Sequence, residues 1–203
     1  MSALKLTKNE LRNQQMRLTQ LRRYLPTLQL KKSLLQYEVS NVLSEIISLK
    51  QDFIQIKWKV ESFSAFFVEK VSVNLNNFAV IQHVKKRYEN IAGIEIPILE
   101  TVQFQEIVYF MCDTPVWTES AVELLRSMIV AREKINVALE KKRALEKELR
   151  EVSIRVNLFE KILIPRSMQN IKKIRIFLGD QQLAAVAQAK VAKSKIIARR
   201  GQQ

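Results

Sequence analysis

Residues 121–163 read AVELLRSMIVAREKINVALEKKRALEKELREVSIRVNLFEKIL, and an apolar residue recurs at every third or fourth position. Apolar residues that alternate at these separations form the narrow seam of a heptad repeat, which a helix buries against a second helix with the same repeat. The stretch therefore predicts a long helix that requires a partner, and only Lys142 on its seam is polar. The seam consists of Ala121, Leu124, Met128, Ala131, Ile135, Ala138, Lys142, Leu145, Leu149, Val152, Val156, Phe159 and Leu163.

A matching repeat occupies the N-terminal part of the chain. Because two long helices joined by a middle segment can fold back on each other, we expect a mainly α fold built on an intramolecular antiparallel coiled coil. We divide the chain into an N-terminal helix (1–72), a middle segment (73–118) and a C-terminal helix with a basic tail (119–203). One line of the repeat is Leu4, Leu11, Leu18, Leu25, Lys32, Val39, Ile46, Phe53, Val60 and Phe67, and the other is Leu21, Leu28, Leu35, Val42, Leu49, Ile56 and Phe63.

Two prolines interrupt the helical pattern. Thr7 and Glu10 form a capping box, which predicts that the first helix starts near Thr7. Beyond Phe67 the next seam positions are the polar Lys70 and Asn74, so we expect the paired helix to end or splay near residue 72. The heptad phase passes through Pro26 unchanged, which indicates a kink in one continuous helix. At Pro165 the phase shifts, since Leu163 is followed by Ser167, so we expect a bend there.

The middle segment predicts a short β-hairpin at about 94–111. Residues 94–104 are rich in β-branched side chains, Gly93 permits the turn into them, and Ile107–Met111 supplies the returning strand. Thr114 as cap and Pro115 at the first helical position predict the start of the next helix.

Two pairs of side chains in the helices each have two interpretations. The stems of Lys32 and Lys142 pack in the seam while their ammonium groups reach water, or these lysines are polar breaks that fix register or permit torsion. Trp58 and Trp117 flank the middle segment, where they anchor a partner or close the core of the hairpin.

The net charge of +14 is concentrated at the two ends of the chain. Residues 1–36 contain eight basic side chains against Glu10 alone, and residues 163–203 contain nine against Asp180 alone. In an antiparallel hairpin both segments lie at the same end, which is then strongly basic. No stacking aromatics are interleaved with these charges, so nothing specific supports nucleic-acid binding.

Catalytic and cofactor signals are missing from the sequence. It contains no phosphate-binding glycine loop, HExxH or paired-cysteine spacing, so we expect no cofactor, no metal site and no catalytic residue. His83, the only histidine, is interpreted as a partly exposed helix residue, and Cys112 as a small buried apolar one. Without a signal peptide or a membrane-spanning run, the expected location is the cytoplasm, with no direct membrane insertion.

Several motifs in chain order resemble a known family. Arg155-Val156-Asn157-Leu158-Phe159-Glu160 followed by Ile164-Pro165-Arg166 is similar to the C-terminal signature of the D subunits of V-type and A-type rotary ATPases. Asn90-Ile91-Ala92-Gly93-Ile94 with Ile96-Pro97 resembles the mid-chain hairpin entry of that family. Arg155, Asn157, Pro165 and Arg166 are thus the signature residues.

The resemblance implies a non-catalytic central stalk. The D subunit of this family inserts its paired termini into a ring of catalytic A and non-catalytic B subunits, while its other end binds the F subunit and a membrane-rotor adaptor. The resemblance implies that ATP turnover and ion transport are coupled by rotation, at the periphery of the membrane. We expect the hairpin residues Gly93, Ile94, Ile96 and Pro97 to lie near the F subunit. Deleting 94–111 should then weaken binding of the F subunit or change turnover without preventing insertion of the shaft. The expected ring contacts are Lys190, Lys193, Lys195, Arg199 and Arg200.

Two rivals compete with this assignment. The γ subunit of F-type ATP synthases places an α/β domain between its helices, for which the middle segment is too short. A coiled-coil scaffold or nucleic-acid-binding protein that uses the basic end is the alternative from another class, and it predicts a steep salt dependence of nucleic-acid binding. The direction of the motor, and whether the ion is a proton or sodium, are not predicted.

Overall fold

The protein is described by a computed structural model at residues 4–63, 79–105 and 117–200. The elements in chain order are helix α1 (Lys8–Phe63), strands β1 (Ile81–Ile91) and β2 (Ile94–Phe104), helix α2 (Thr118–Leu158), a π-helix (Phe159–Leu163) and helix α3 (Ile164–Arg200). The predicted class is confirmed: long helices flank a two-stranded antiparallel hairpin. Four predicted features fall outside the described residues, namely the helix end near residue 72, the strand at 107–111, Cys112 and the helix start at Thr114 and Pro115.

The chain forms two compact units, which are described separately. The terminal unit combines Met1–Leu30 with Val152–Gln203, and the hairpin unit comprises Lys31–Glu151. Each unit contains part of α1 and part of α2. The division of the chain at residues 72 and 118 stays a prediction.

The seam of the hairpin unit is the predicted one. Leu35 and Leu145 are fully buried and Val42 is 1% exposed. Every predicted seam position in this unit whose side chain is described is buried or half-buried. Since burying a leucine side chain contributes about 2 kcal/mol, this line of contacts dominates the stability of the unit.

Two ion pairs in the hairpin unit show that its helices run antiparallel. Lys31 Nζ lies 2.7 Å from Glu148 Oε1, and Lys141 Nζ lies 3.2 Å from Glu45 Oε2. Moving forward along α1 from the first pair to the second therefore means moving backward along α2. Because these groups are partly exposed, each pair contributes at most about 1 kcal/mol to the free energy of unfolding. The pairs therefore serve here as evidence for helix orientation.

Lys142 interrupts the seam without placing its charge inside it. Its side chain is 29% exposed, and Nζ lies 3.5 Å from Glu146 Oε1 one turn further along α2. This geometry agrees with the first interpretation of Lys142, in which the stem packs and the ammonium group reaches the surface.

The hairpin turns at Ala92 and Gly93, which have φ of 55° and 85°. Positive φ at both central residues is the signature of a tight two-residue turn whose twist matches that of the strands. The Gly93 N–H donates to Asn90 Oδ1 at 2.9 Å, and Ile91 pairs with Ile94. The turn thus joins β1 and β2 directly.

This pairing corrects the predicted hairpin boundaries. The sequence-based hairpin ran from 94 to 111 with Ile107–Met111 as the returning strand, whereas β2 pairs with β1, which precedes Gly93. The reason is that Gly93 lies inside the hairpin turn rather than at its entry. The prediction for His83 is also corrected, because this histidine is exposed in strand β1 and does not lie in a helix.

One side of the hairpin packs on the helices of the same unit. Ile96 is fully buried, and Arg126 lies 5.2 Å from the centre of the Phe104 ring. Lys86 Nζ also contacts Glu140 Oε2 at 2.7 Å. The hairpin is therefore anchored along α2 by apolar, cation–π and ionic contacts together.

In the terminal unit, α1 begins as predicted. The backbone N–H of Glu10 donates to Thr7 Oγ1 at 3.3 Å, which satisfies one of the unpaired donors of the first turn. Pro26 lies inside α1, so the expectation of one continuous helix through this proline is confirmed.

The phase shift near Pro165 has a structural cause. Residues Phe159–Leu163 form a π-helix, and the Ile164 N–H donates to the Phe159 carbonyl, five residues back. A π-turn accommodates one extra residue, so the seam moves on by one position. Leu163 is accordingly followed by Ser167, Ile171 and Ile174, all of which are buried.

The adjacent proline favours the wider turn. In an α-helix the ring of Pro165 collides with the carbonyl of the residue four positions earlier, and Pro165 has no N–H to give that carbonyl. The preceding π-turn relaxes this conflict. The phase shift before Pro165 is thus a local change of helix type, and the expected bend stays a prediction.

Truncating the buried seam should cost much more stability than truncating the surface. Leu35→Ala removes a fully buried side chain, so we expect a loss of about 2–5 kcal/mol in the free energy of unfolding, measured by urea denaturation. Leu30→Ala, where the side chain is 71% exposed, is the matched control and should change it by less than about 0.5 kcal/mol. Equal losses would contradict the assigned seam.

Removing one residue from the π-turn should leave the seam intact. Deleting Ile162, which is 54% exposed, converts the wide turn to an ordinary one with the apolar line still in phase. Deleting the exposed Arg132 instead rotates the following seam residues by about 100°. We expect urea denaturation to show a cooperative transition for the first variant and a far larger loss for the second. Comparable losses would argue against the π-turn as a phase correction.

Candidate functional site

Within 4–63, 79–105 and 117–200, no group of three or more His, Cys, Asp or Glu side chains is arranged to hold a metal ion. Over the same residues, none of the helices combines the length and apolarity needed to cross a membrane. Three surfaces of the described chain stand out by exposure and charge.

The first surface is the end of α3. All side chains described between residues 181 and 197 are exposed, and no acidic residue follows Asp180. Leu183, Val186 and Ile197 are 54–71% exposed and recur at separations of three and eleven residues, which brings them to one side of the helix. This terminal helix thus carries an apolar row without a cover in its own unit.

Basic side chains accompany that row. Lys190, Lys193, Lys195 and Arg200, which the sequence predicts as ring contacts, are all exposed on α3. Arg199 belongs to the same helix, but its side chain lies outside the described set. The end of α3 thus combines an exposed apolar row with an excess of positive charge.

The second surface is a cleft in the terminal unit. It is lined by the signature residue Arg166 and by Arg17 and Lys5, with the buried Ser167 and with Asn170. Of the other signature residues, Arg155 and Asn157 are exposed and Pro165 is half-buried. The structure therefore places only one of the four at this cleft.

The third surface is an apolar stripe on α1 in the hairpin unit. Leu43, Ile47, Ile54 and Trp58 are 40–69% exposed, and their separations of four and seven residues place them in one row. Because Trp58 is 69% exposed, the structure favours its interpretation as an anchor for a partner. Trp117 is half-buried and does not share this row.

The hairpin residues named from the sequence divide into two groups. Ile96 and Pro97 are buried and hold the hairpin in place, whereas Gly93 is exposed at the turn and Ile94 is half-buried. Tyr88, which the sequence did not single out, is 62% exposed on β1. Tyr88 pairs with Pro97 across the hairpin and lies on the same face, with most of its own side chain exposed to a partner.

Comparison with known proteins agrees with the family resemblance. Residues 10–194 match the family model for the D subunit of ATP synthase. The chain belongs to the ATP synthase D-subunit family. It is 43% identical to the V-type ATP synthase D subunit of Chlamydia abortus, over 96% of this chain and 94% of that protein. It is 39% identical to the corresponding protein of Borreliella burgdorferi, over 97% and 96%.

Family membership confirms the resemblance to D subunits, while the choice of Arg155, Asn157, Pro165 and Arg166 as signature residues stays a prediction. The sequence had not identified the cleft, because Arg17 and Arg166 are far apart in the chain. It also missed the stripe on α1, although the spacing of Ile47, Ile54 and Trp58 was visible as a second apolar line beside the seam.

Proposed function

We propose that this chain is the central-stalk subunit of a V-type or A-type rotary ATPase or ATP synthase. In this role it couples nucleotide turnover in the ring of A and B subunits to ion transport, and itself carries no catalytic residue. The observation that supports this most directly is the exposed end of α3, an apolar and basic helix without cover in its own unit, in a chain of the D-subunit family.

A stalk must resist torque and must bind partners without chemistry of its own. The buried seam at Leu35 and Leu145 provides a helix pair with one register. The ring then contacts the surface of the terminal unit. Because this surface is not the same on all sides, each angle of the rotor presents different side chains to each ring site. Proton and sodium transport are both compatible with this role.

The proposed partners follow from the separate surfaces. The end of α3 enters the A and B ring, and the hairpin unit, with Tyr88 and the stripe containing Ile54 and Trp58, binds the F subunit. The adaptor protein of the membrane rotor is the remaining partner. The chain is then peripheral to the membrane through the complex and works at its cytoplasmic face.

Neutralising the basic end of α3 should weaken ring assembly. With Lys190, Lys193, Lys195, Arg199 and Arg200 changed together to Gln, we expect weaker binding to purified ring subunits and a shallower dependence of affinity on salt, because attraction between exposed charges is screened by salt. Surface plasmon resonance at several salt concentrations measures both. Changing Lys50, Lys57, Lys59, Lys85 and Lys134 removes the same charge from the hairpin unit and should leave ring binding unchanged.

An unchanged affinity and salt slope in the α3 variant would overturn the electrostatic part of the ring contact. The alternative class, a scaffold or nucleic-acid-binding protein, predicts instead tight salt-dependent binding of duplex or single-stranded nucleic acid and no affinity for ATPase subunits. An electrophoretic mobility shift assay beside the ring experiment separates the two functions.

The exposed side chain of Tyr88 gives a sharper test of F-subunit binding than the deletion of 94–111. That deletion also removes the buried Ile96, so it damages the unit itself. We expect Tyr88→Ala, at a side chain 62% exposed, to weaken binding of the F subunit by about tenfold in calorimetry while thermal unfolding is unchanged. Tyr24→Ala, at a side chain 60% exposed in the terminal unit, is the matched control. Full affinity for the F subunit in the Tyr88 variant would place that contact elsewhere.

A further inference from the structure

The cleft of the terminal unit brings together cations from three segments of the chain. Lys5 comes from the segment before α1, Arg17 from α1 and Arg166 from α3. Asn170, one turn after Arg166, and the buried Ser167 also line it. Guanidinium groups, an amide and a hydroxyl supply hydrogen-bond donors, and the guanidinium fork matches two oxygens of one anion.

The π-turn determines which side chains reach this cleft. If the seam continued without the extra residue, the positions after Leu163 would be Arg166 and Asn170, separated by three and four residues. The π-turn puts Ser167 and Ile171 in the seam instead, both less than 8% exposed. Arg166 and Asn170 are thereby displaced from the seam to its flank, where both line the cleft.

Among the described residues, the carboxylates near the cleft do not balance its cations. Glu10 is its one carboxylate, and Glu10 Oε1 already accepts a hydrogen bond from Gln14 Nε2 at 2.8 Å. Within the described part of the chain, no carboxylate lies within 4.0 Å of the cationic groups of Lys5, Arg17 or Arg166. The cleft therefore has an excess of two positive charges.

We propose that this cleft binds an oxyanion through Arg17 and Arg166, with the Asn170 amide as a neutral donor. Paired arginines recognise oxyanions in the plane of the guanidinium group, which lysines do not. Two sources provide this chemistry: inorganic phosphate in solution and the carboxylate of an acidic side chain on a ring subunit. The second source rests on the proposed function, and the first does not.

The test with the full isolated chain uses inorganic phosphate as the probe. In NMR titrations at constant ionic strength, the arginine Nε–H signals of Arg17 and Arg166 and the side-chain amide of Asn170 should shift and saturate together. The double variant Arg17→Gln with Arg166→Gln should bind phosphate at least about tenfold more weakly, because two charged hydrogen-bond donors are lost. Arg166→Lys keeps the charge but loses the fork, so an intermediate affinity is expected.

The matched control removes the same amount of positive charge from the same terminal unit. Arg12→Gln with Lys173→Gln changes two exposed side chains outside the cleft and should leave the phosphate affinity within about twofold of the unmodified chain. Thermal unfolding checks that all variants fold. Shifts that never saturate, or equal losses in the cleft and control variants, would show general attraction to a basic surface and overturn the site.

A second arm identifies the source of the oxyanion. If a ring carboxylate fills the cleft, the Arg17 and Arg166 variant binds purified ring subunits more weakly and phosphate competes with that binding. If free phosphate is the ligand, ring binding is the same for the variant and the control. Either result supports the site once saturable binding is seen, and neither depends on the five basic residues of α3, so failure of the proposed ring insertion remains distinguishable.

Discussion

The structure depends on keeping one narrow apolar line in phase. Each helix buries only a few side chains per turn, such as Leu35, Val42 and Leu145, so no broad core compensates for a position that turns outward. A single added or missing residue rotates everything beyond it by about 100°. The prolines, the polar interruption and the π-turn are therefore best understood by how each of them preserves the phase.

Three irregular features satisfy that constraint in different ways. Pro26 stays within α1 without changing the repeat, and Lys142 carries its charge to Glu146 while its stem remains in line. Near Pro165 the sequence does not keep the repeat, and the Phe159–Leu163 π-turn absorbs the extra residue. A wide turn sacrifices regular hydrogen bonding locally, but it keeps Ile171 and Ile174 buried, and those contacts outweigh one distorted turn.

The sequence predicts those parts of the fold that depend on local pattern. The seam, the capping box at Thr7 and the continuity of α1 through Pro26 follow from spacing alone, and the structure confirms them. The sequence predicts the wrong partner strand for β2. The reason is a register irregularity near Lys85 in β1, which breaks the alternation of apolar and polar residues that would identify β1 as a strand. Its better signal was the two-residue turn at Ala92 and Gly93.

The three candidate functional surfaces are harder to predict from the sequence, because they consist of the residues that are not buried in the seam. A phase shift at Leu163 is visible in the sequence, but a bend and a π-turn explain it equally well at that level. Only the π-turn has the consequence that Arg166 moves from the apolar line to its flank beside Arg17. The extra residue that corrects the packing of this seam also decides which charged side chain faces outward, so the same turn sets both the buried apolar line and the exposed charge.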